Sequence, residues 1–110
     1  MERYLAKAVR ADLTKKLVFV VGPRQVGKTT LAKALMADYP RSQYLNWDVP
    51  SDSRIIVGQT WSPRARLLVL DEVHKMRGWK TCIKGVWDGR GEGQAILVTG
   101  SARYGGTRLA

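Results

Sequence analysis

The stretch GPRQVGKTT, residues 22–30, decides how this chain is expected to fold. It follows the apolar run LVFVV, residues 17–21, and precedes LAKALMAD, residues 31–38, in which apolar residues recur at helical spacing. The stretch fits G-x-x-x-x-G-K-[ST], a pattern in which the glycines let successive backbone N–H groups point into one anion-sized nest at a helix N-terminus. We therefore predict a phosphate-binding loop between a strand and a helix.

The predicted loop supplies nine candidate residues for nucleotide binding: Gly22, Pro23, Arg24, Gln25, Val26, Gly27, Lys28, Thr29 and Thr30. The Lys28 ammonium would lie between the β- and γ-phosphates, and the Thr29 hydroxyl would ligate Mg²⁺. Thr30 could reach an oxygen of the α-phosphate. The alternative is a Gly-rich turn that matches the pattern by chance, but the strand before it and the helix after it favour nucleotide binding.

The composition is that of a folded protein with a basic surface. Apolar residues make up 45% of the 110 residues and charged residues 25%, which argues against disorder. The formal net charge of +10 would attract polyanions such as DNA, RNA or nucleotides. The basic residues are spread along the chain, however, so a solvated basic surface explains them equally well.

Few residues are available for metal or disulfide chemistry. Cys82 is the only cysteine and His74 the only histidine, so a disulfide framework or a structural zinc cluster cannot form within one chain. Any metal must therefore be held by oxygen. The N-terminal residues 1–16 carry charges throughout, which excludes a secretory signal or a membrane span and leads us to expect a cytoplasmic protein.

Strand and helix patterns alternate along the chain. An amphipathic N-terminal helix, expected to pack against the sheet edge, precedes the first strand. A second strand is predicted at residues 43–47, and buried strands at 67–70 and 95–99. Residues 53–59 could form either a helix or a loop. Such alternation predicts an α/β fold with a mostly parallel sheet between layers of helices.

A pair of acids follows the apolar run LLVL, residues 67–70. Asp71 and Glu72 thus stand at the C-terminal end of a buried strand, where open α/β sheets build their sites. Asp71 would hold Mg²⁺ directly or through water, and Glu72 would orient or deprotonate the water that attacks the γ-phosphate. Alone, such a pair would more often cap a helix. Together with the phosphate loop, it predicts catalysis.

A hydroxyl at the tip of the last predicted strand is a candidate sensor of the γ-phosphate. Thr99 or Ser101 could hydrogen-bond the γ-phosphate or the attacking water, since both follow the run ILV. We prefer Ser101. By itself Ser101 would be a turn hydroxyl after Gly100.

These motifs together resemble a known family. The strings GPRQVGKTTLAKAL, YLNWD, LLVLDEVHK and ILVTGSAR, with the helix WK..IKG.WD between the last two, are similar in order and spacing to the N-terminal core of bacterial and archaeal AAA-type ATPases. Members of that family carry a C-terminal domain of unknown function. The resemblance covers nearly the whole chain.

The resemblance implies a P-loop NTPase fold with three layers, α/β/α, in which the strand bearing Ser101 lies between the phosphate-loop strand and the strand bearing Asp71. It divides this chain into an N-terminal helix at 1–16, a nucleotide-binding core at 17–104 and a tail at 105–110. Asp48 and Arg54 also match the pattern, without an assigned role.

The family's chains continue through a further strand, a helical lid and the C-terminal domain, so we expect this chain to be truncated. Without the further strand, the phosphate-loop strand would lie at an edge and invite self-association. The expected source of an arginine finger would also be missing.

The leading hypothesis is Mg²⁺-dependent ATP hydrolysis coupled to conformational change in a larger protein or assembly. A small-molecule kinase is the alternative enzyme, disfavoured because Glu72 directly follows Asp71. An alternative that is not an enzyme is a nucleic-acid-binding module with a structural or vestigial nucleotide site, in which tryptophans stack on bases. Trp79 and Trp87 fit a buried helix face better.

Overall fold

The computed structural model describes residues 2–13, 17–22, 28–91 and 93–101, without the side chains of 2–6, 21, 22, 28, 29 and 101. The elements, in chain order, are α1 (Glu2–Leu13), β1 (Val18–Gly22), α2 (Lys28–Ala37), β2 (Ser42–Asn46), α3 (Pro50–Gly58), β3 (Leu67–Asp71), a 3₁₀ turn (Val73–Lys75), α4 (Trp79–Asp88) and β4 (Ala95–Ser101).

The strands form one sheet in the order β1-β4-β3-β2, and every neighbouring pair is parallel. β4, which bears Ser101, therefore lies between β1 and β3, as the family resemblance implies. β1 lies at one edge of the described sheet. The prediction of a mostly parallel α/β fold is confirmed.

The central strand β3 is buried on both faces, as is usual in parallel sheets. Leu67, Leu68, Val69 and Leu70 of β3 are all 0% exposed. A strand buried on both sides cannot alternate apolar and polar residues, and it needs helices on both faces to cover it. The continuous apolar run in the sequence is the direct consequence.

The helices divide between the two faces of the sheet. On one, the α1/α2 face, Val69 and Leu97 pack with Leu13 of α1 and Leu35 of α2. On the other, the α3/α4 face, the core cluster contains Leu45, Ile56, Leu68, Leu70, Val73, Ile83, Val86, Ile96 and Val98. These two clusters make the three layers that the sequence predicts.

Two elements add to the sequence-based expectations. Helix α1 packs on the α1/α2 face, against α2, the edge strand β1 and its neighbour β4, with Val9 and Leu13 buried. Residues 50–58 form a helix, although only Ile56 within it is buried. With a single buried position, α3 has no apolar periodicity for the sequence to reveal.

Candidate functional site

The carboxyl ends of β1, β4 and β3 meet at one edge of the sheet. Gly22 at the end of β1 pairs with Ser101 at the end of β4, and Asp71 at the end of β3 pairs with Thr99. The register therefore brings the start of the phosphate-loop motif, the sensor candidates and the acidic pair together, as the sequence predicts for an open α/β sheet.

The phosphate-loop motif has the strand before it and the helix after it that the pattern requires. β1 ends at Gly22 and α2 begins at Lys28. Thr30 lies exposed in the first turn of α2. Pro23, Arg24, Gln25, Val26 and Gly27 lie outside the described residues, as do the side chains of Lys28 and Thr29, so their roles stay predictions.

Asp71 faces the side of the sheet on which α2 lies. Side chains alternate along a strand, and Asp71 is two residues after Val69, which packs in the cluster of the α1/α2 face. The loop that precedes α2 joins β1 to this same layer. The predicted metal ligand therefore lies on the same side of the sheet as α2, the helix that follows the phosphate-loop motif.

Two hydroxyl groups hold the Asp71 carboxylate. The Tyr44 hydroxyl, from β2, donates a hydrogen bond to Asp71 Oδ2. Thr99 Oγ1, from β4, donates to Asp71 Oδ1 at 2.8 Å. Each oxygen thus has its own donor, and β3 is held from both of its neighbouring strands.

The two sensor candidates, Thr99 and Ser101, differ in that the Thr99 hydroxyl donates a hydrogen bond to Asp71. Thr99 is 1% exposed and its hydroxyl is directed to Asp71, which gives it a structural place within the sheet. Ser101 pairs with Gly22 at the tip of β4, and its side chain lies outside the described part of the chain. Ser101 as sensor therefore stays a prediction.

Tyr44 is a site residue that the sequence analysis missed. It lies 27 positions before Asp71 and opens the string YLNWD, in which the tyrosine was given no role. Desolvation by burial, followed by the hydrogen bond and the negative charge of Asp71, raises the pKa of the Tyr44 phenol. The phenol consequently stays protonated and remains a hydrogen-bond donor to the carboxylate.

Glu72 has an unusual backbone conformation. Its φ of 62° and ψ of 18° lie in the left-handed region, and its N–H donates to the Thr99 carbonyl at 2.8 Å. The residue is only 7% exposed. It stands before the 3₁₀ turn without a side-chain capping hydrogen bond. The capping alternative therefore does not account for this carboxylate, and such backbone outliers concentrate at functional sites.

Two cationic or polar side chains approach the Glu72 carboxylate. Its Oε1 lies 3.6 Å from His74 Nε2 and 3.7 Å from Lys75 Nζ. Lys75 Nζ also lies 2.9 Å from Oδ2 and 3.1 Å from Oδ1 of Asp48. Asp48, which had no role in the sequence analysis, thus connects the turn after β2 to the neighbourhood of Glu72. Arg54 is exposed on α3.

The donor chemistry fits a hard cation such as Mg²⁺. Among the described residues there is no group of three or more His, Cys, Asp or Glu side chains that could hold a metal. Mg²⁺ needs no such cage in phosphate-transfer sites, because one or two protein oxygens, substrate phosphates and waters complete its coordination. Asp71 and, by prediction, Thr29 are oxygen donors of that kind.

The tryptophans take part in the core. Trp47, Trp61, Trp79 and Trp87 are all partly buried against the cluster of the α3/α4 face. For Trp79 and Trp87 this confirms the helix-face interpretation. Partial burial of all four leaves less aromatic surface for stacking on bases.

Within the residues that the structure describes, no helix is both long and apolar enough to cross a membrane.

A family model described as an AAA domain matches residues 14–108. No curated protein sequence matches the chain. Among solved structures, it is similar to C. elegans PCH-2, with 18% sequence identity and a TM-score of 0.49. The similarity covers 98% of this chain and 38% of that one.

Proposed function

This chain belongs to the AAA domain family, and on that premise we propose that it binds ATP with Mg²⁺ and hydrolyses the bond to the γ-phosphate. Nucleotide binding of the ATPase type is the common property of the family. Hydrolysis, the dependence on Mg²⁺ and the coupling to conformational change in a larger protein or assembly are the proposal's own content.

One observation supports the proposal most. Asp71 lies at the carboxyl edge of the sheet, on the side of α2, and the strand between β3 and β1 ends at Ser101 beside Gly22. A phosphate loop between β1 and α2 would direct its backbone N–H groups to this edge. Phosphate-binding donors and an acidic oxygen ligand would thus share one site.

The phosphate loop and two oxygen ligands would bind the nucleotide and its metal ion. The backbone of residues 22–30 would cradle the phosphates, and the Lys28 ammonium would contact the β- and γ-phosphates. Thr29 and Asp71 would hold Mg²⁺. When bound, the ion supplies charge neutralisation between the β- and γ-phosphate oxygens.

Glu72 would act on the attacking water. Its carboxylate is almost fully buried and its backbone is held by the hydrogen bond to Thr99, which limits where the side chain can go. A carboxylate fixed at this edge can orient a water molecule or accept its proton. Ser101 would contact the γ-phosphate from the neighbouring strand.

The other hypotheses remain as outcomes of the test. Transfer of phosphate to an added small-molecule acceptor would indicate a kinase. Binding of DNA or RNA that ignores ATP and persists in Lys28→Ala would indicate a nucleic-acid module. Self-association also stays a prediction, based on β1 as the edge strand of the described sheet.

The deciding experiment is a calorimetric titration of the folded chain with Mg²⁺–ATP. Wild type should bind saturably, and Lys28→Ala should lose binding because the ammonium that contacts the phosphates is gone. Lys33→Ala is the matched control, since Lys33 is an exposed lysine on the same helix. No binding by folded wild type, or equal loss in both variants, would overturn the proposal.

Phosphate release then separates binding from hydrolysis. Glu72→Gln should retain Mg²⁺–ATP binding and lose roughly 10²–10⁴-fold in hydrolysis rate, the usual contribution of a general base. The amide keeps the size of the side chain but cannot accept a proton. A Glu72→Gln chain that hydrolyses ATP at the wild-type rate would remove Glu72 from the reaction.

A further inference from the structure

We propose that Tyr44 and Thr99 are positioning residues that fix the Asp71 carboxylate and thereby set the affinity of the site for Mg²⁺. The inference rests on the proposed function, because it takes Asp71 as the metal ligand. It adds two residues to which the motifs assign no part in metal binding, one on each strand that flanks β3.

The geometry places one donor on each carboxylate oxygen. Tyr44 donates to Oδ2 and Thr99 donates to Oδ1, at 2.8 Å for Thr99. Two separate anchors fix both the position of the carboxylate and its rotation about the bond to Cβ. One anchor alone would restrict that rotation less.

The register of the sheet explains why these two residues reach Asp71. Thr99 is the direct neighbour of Asp71 on β4. On the other side, Tyr44 of β2 pairs with Val69 of β3. Val69 lies two residues before Asp71, and both side chains are on the same face of the sheet. A short hydroxyl therefore suffices on the β4 side, whereas the β2 side needs the length of a tyrosine to reach diagonally along the strand.

The chemical type of the two donors suits a cation site. An ionised carboxylate has about four lone-pair positions, so two hydrogen bonds leave others for a metal or its waters. Both donors are neutral hydroxyls, so they orient the carboxylate without cancelling its charge. A lysine or arginine in either place would compete with the cation. Among the described side chains, none forms an ion pair with Asp71.

Burial makes the arrangement rigid. Thr99 is 1% exposed, and Tyr44 packs against the cluster of the α1/α2 face. Water therefore has little access to replace the threonine hydroxyl. Outer-shell hydrogen bonds of this kind typically change metal affinity by about 10–100-fold when they are removed.

The test compares ATP affinity with and without the metal. Calorimetric titrations with ATP are made in EDTA and at saturating Mg²⁺, and the ratio of the two Kd values gives the gain due to Mg²⁺. In Tyr44→Phe and Thr99→Val this gain should fall by about 10–100-fold, while the Kd in EDTA stays at the wild-type value. Loss of fold stability alone would not produce that pattern.

Two controls accompany the variants. Thr99→Ser keeps a hydroxyl at the same place and should restore the gain, and this pair of variants suffices if Tyr44→Phe fails to fold. Tyr39→Phe removes a tyrosine hydroxyl from the same face of the sheet, at the far end of α2, and should behave as wild type.

Asp71→Asn separates failure of the inference from failure of the proposed function. If wild type shows no gain from Mg²⁺, or the gain survives in Asp71→Asn, the metal site of the proposed function is wrong and the inference falls with it. If the gain is lost in Asp71→Asn but kept in both Tyr44→Phe and Thr99→Val, the inference alone is overturned. It is also overturned if these variants weaken ATP binding equally in EDTA and in Mg²⁺.

Discussion

The imidazole of His74 lies directly against the backbone of Gly100. A Cβ atom added at Gly100 would come within 2.6 Å of His74 Nδ1 and 2.8 Å of Cε1. The other nitrogen of the same ring, Nε2, is 3.6 Å from Glu72 Oε1. The ring therefore lies between the acidic residue after β3 and the end of β4, and a side chain at position 100 would force it to move.

A methyl group at Gly100 should consequently destabilise the protein through His74. We expect Gly100→Ala to lower the free energy of unfolding by about 1–3 kcal/mol, the usual cost of overpacking. In a His74→Ala background the same change should cost less than about 0.5 kcal/mol, because the clashing ring is absent. Denaturant unfolding of the four proteins measures both values, and an equal cost in the two backgrounds would show that His74 is not what the methyl group meets.

The raised pKa of Tyr44 should make stability fall at alkaline pH. An unfolded tyrosine loses its proton near about pH 10, whereas burial and the Asp71 carboxylate keep the folded phenol protonated to higher pH. Above about pH 10 the folded state therefore binds more protons than the unfolded state, and the free energy of unfolding decreases as the pH rises. Below that pH the contribution is fully present.

Tyr44→Phe tests this dependence. The variant should be less stable than wild type at neutral pH, but its stability should decline less steeply from about pH 10 upward. Urea unfolding across that range measures the slope. Parallel curves for the two proteins would mean that Tyr44 titrates alike in the folded and unfolded states.

The end of α3 carries a conformational cost that glycine would remove. Gln59 caps the helix with φ 52° and ψ 44°, and its N–H is directed to the carbonyls of Ile55 and Ile56. A residue with a Cβ pays roughly 1–2 kcal/mol in this left-handed conformation. We expect Gln59→Gly to raise the free energy of unfolding by about 0.5–1 kcal/mol, whereas Gln59→Ala should bring no such gain. A thermal midpoint for Gln59→Gly at or below that of Gln59→Ala would contradict the assignment of strain.

The core of the α3/α4 face should depend on Leu68. This side chain is 0% exposed on the central strand β3. Leu68→Ala leaves a cavity and should cost about 2–5 kcal/mol, a large part of the roughly 5–15 kcal/mol that stabilises a domain. Val57→Ala is the control, because Val57 is 61% exposed and should change stability by less than about 0.5 kcal/mol. Similar losses in both would place Val57 in an interface.

Comparison of particular elements shows how far sequence patterns reach. Strands β1, β3 and β4 were predicted within one or two residues, because buried parallel strands need continuous apolar runs. For α3 the sequence did not distinguish a helix from a loop, because only Ile56 in this helix is buried. Asp48 had no role until the structure placed it against Lys75. A pattern along the chain reports burial and turns, and it does not report which distant side chain a polar group will meet.

The sequence by itself determined the order of strand, phosphate-loop motif and helix, the burial of the central strands and the placement of Asp71 and Glu72 at a strand end. Those properties follow from spacing and residue type within short segments. Only the tertiary structure decided that Thr99 holds Asp71 while Ser101 lies beside Gly22, and that Tyr44 completes the contact from 27 residues away. The reason is physical: strand order and hydrogen-bond register fix which side chains become neighbours across a sheet, and a shift of one residue would turn each of them to the opposite face.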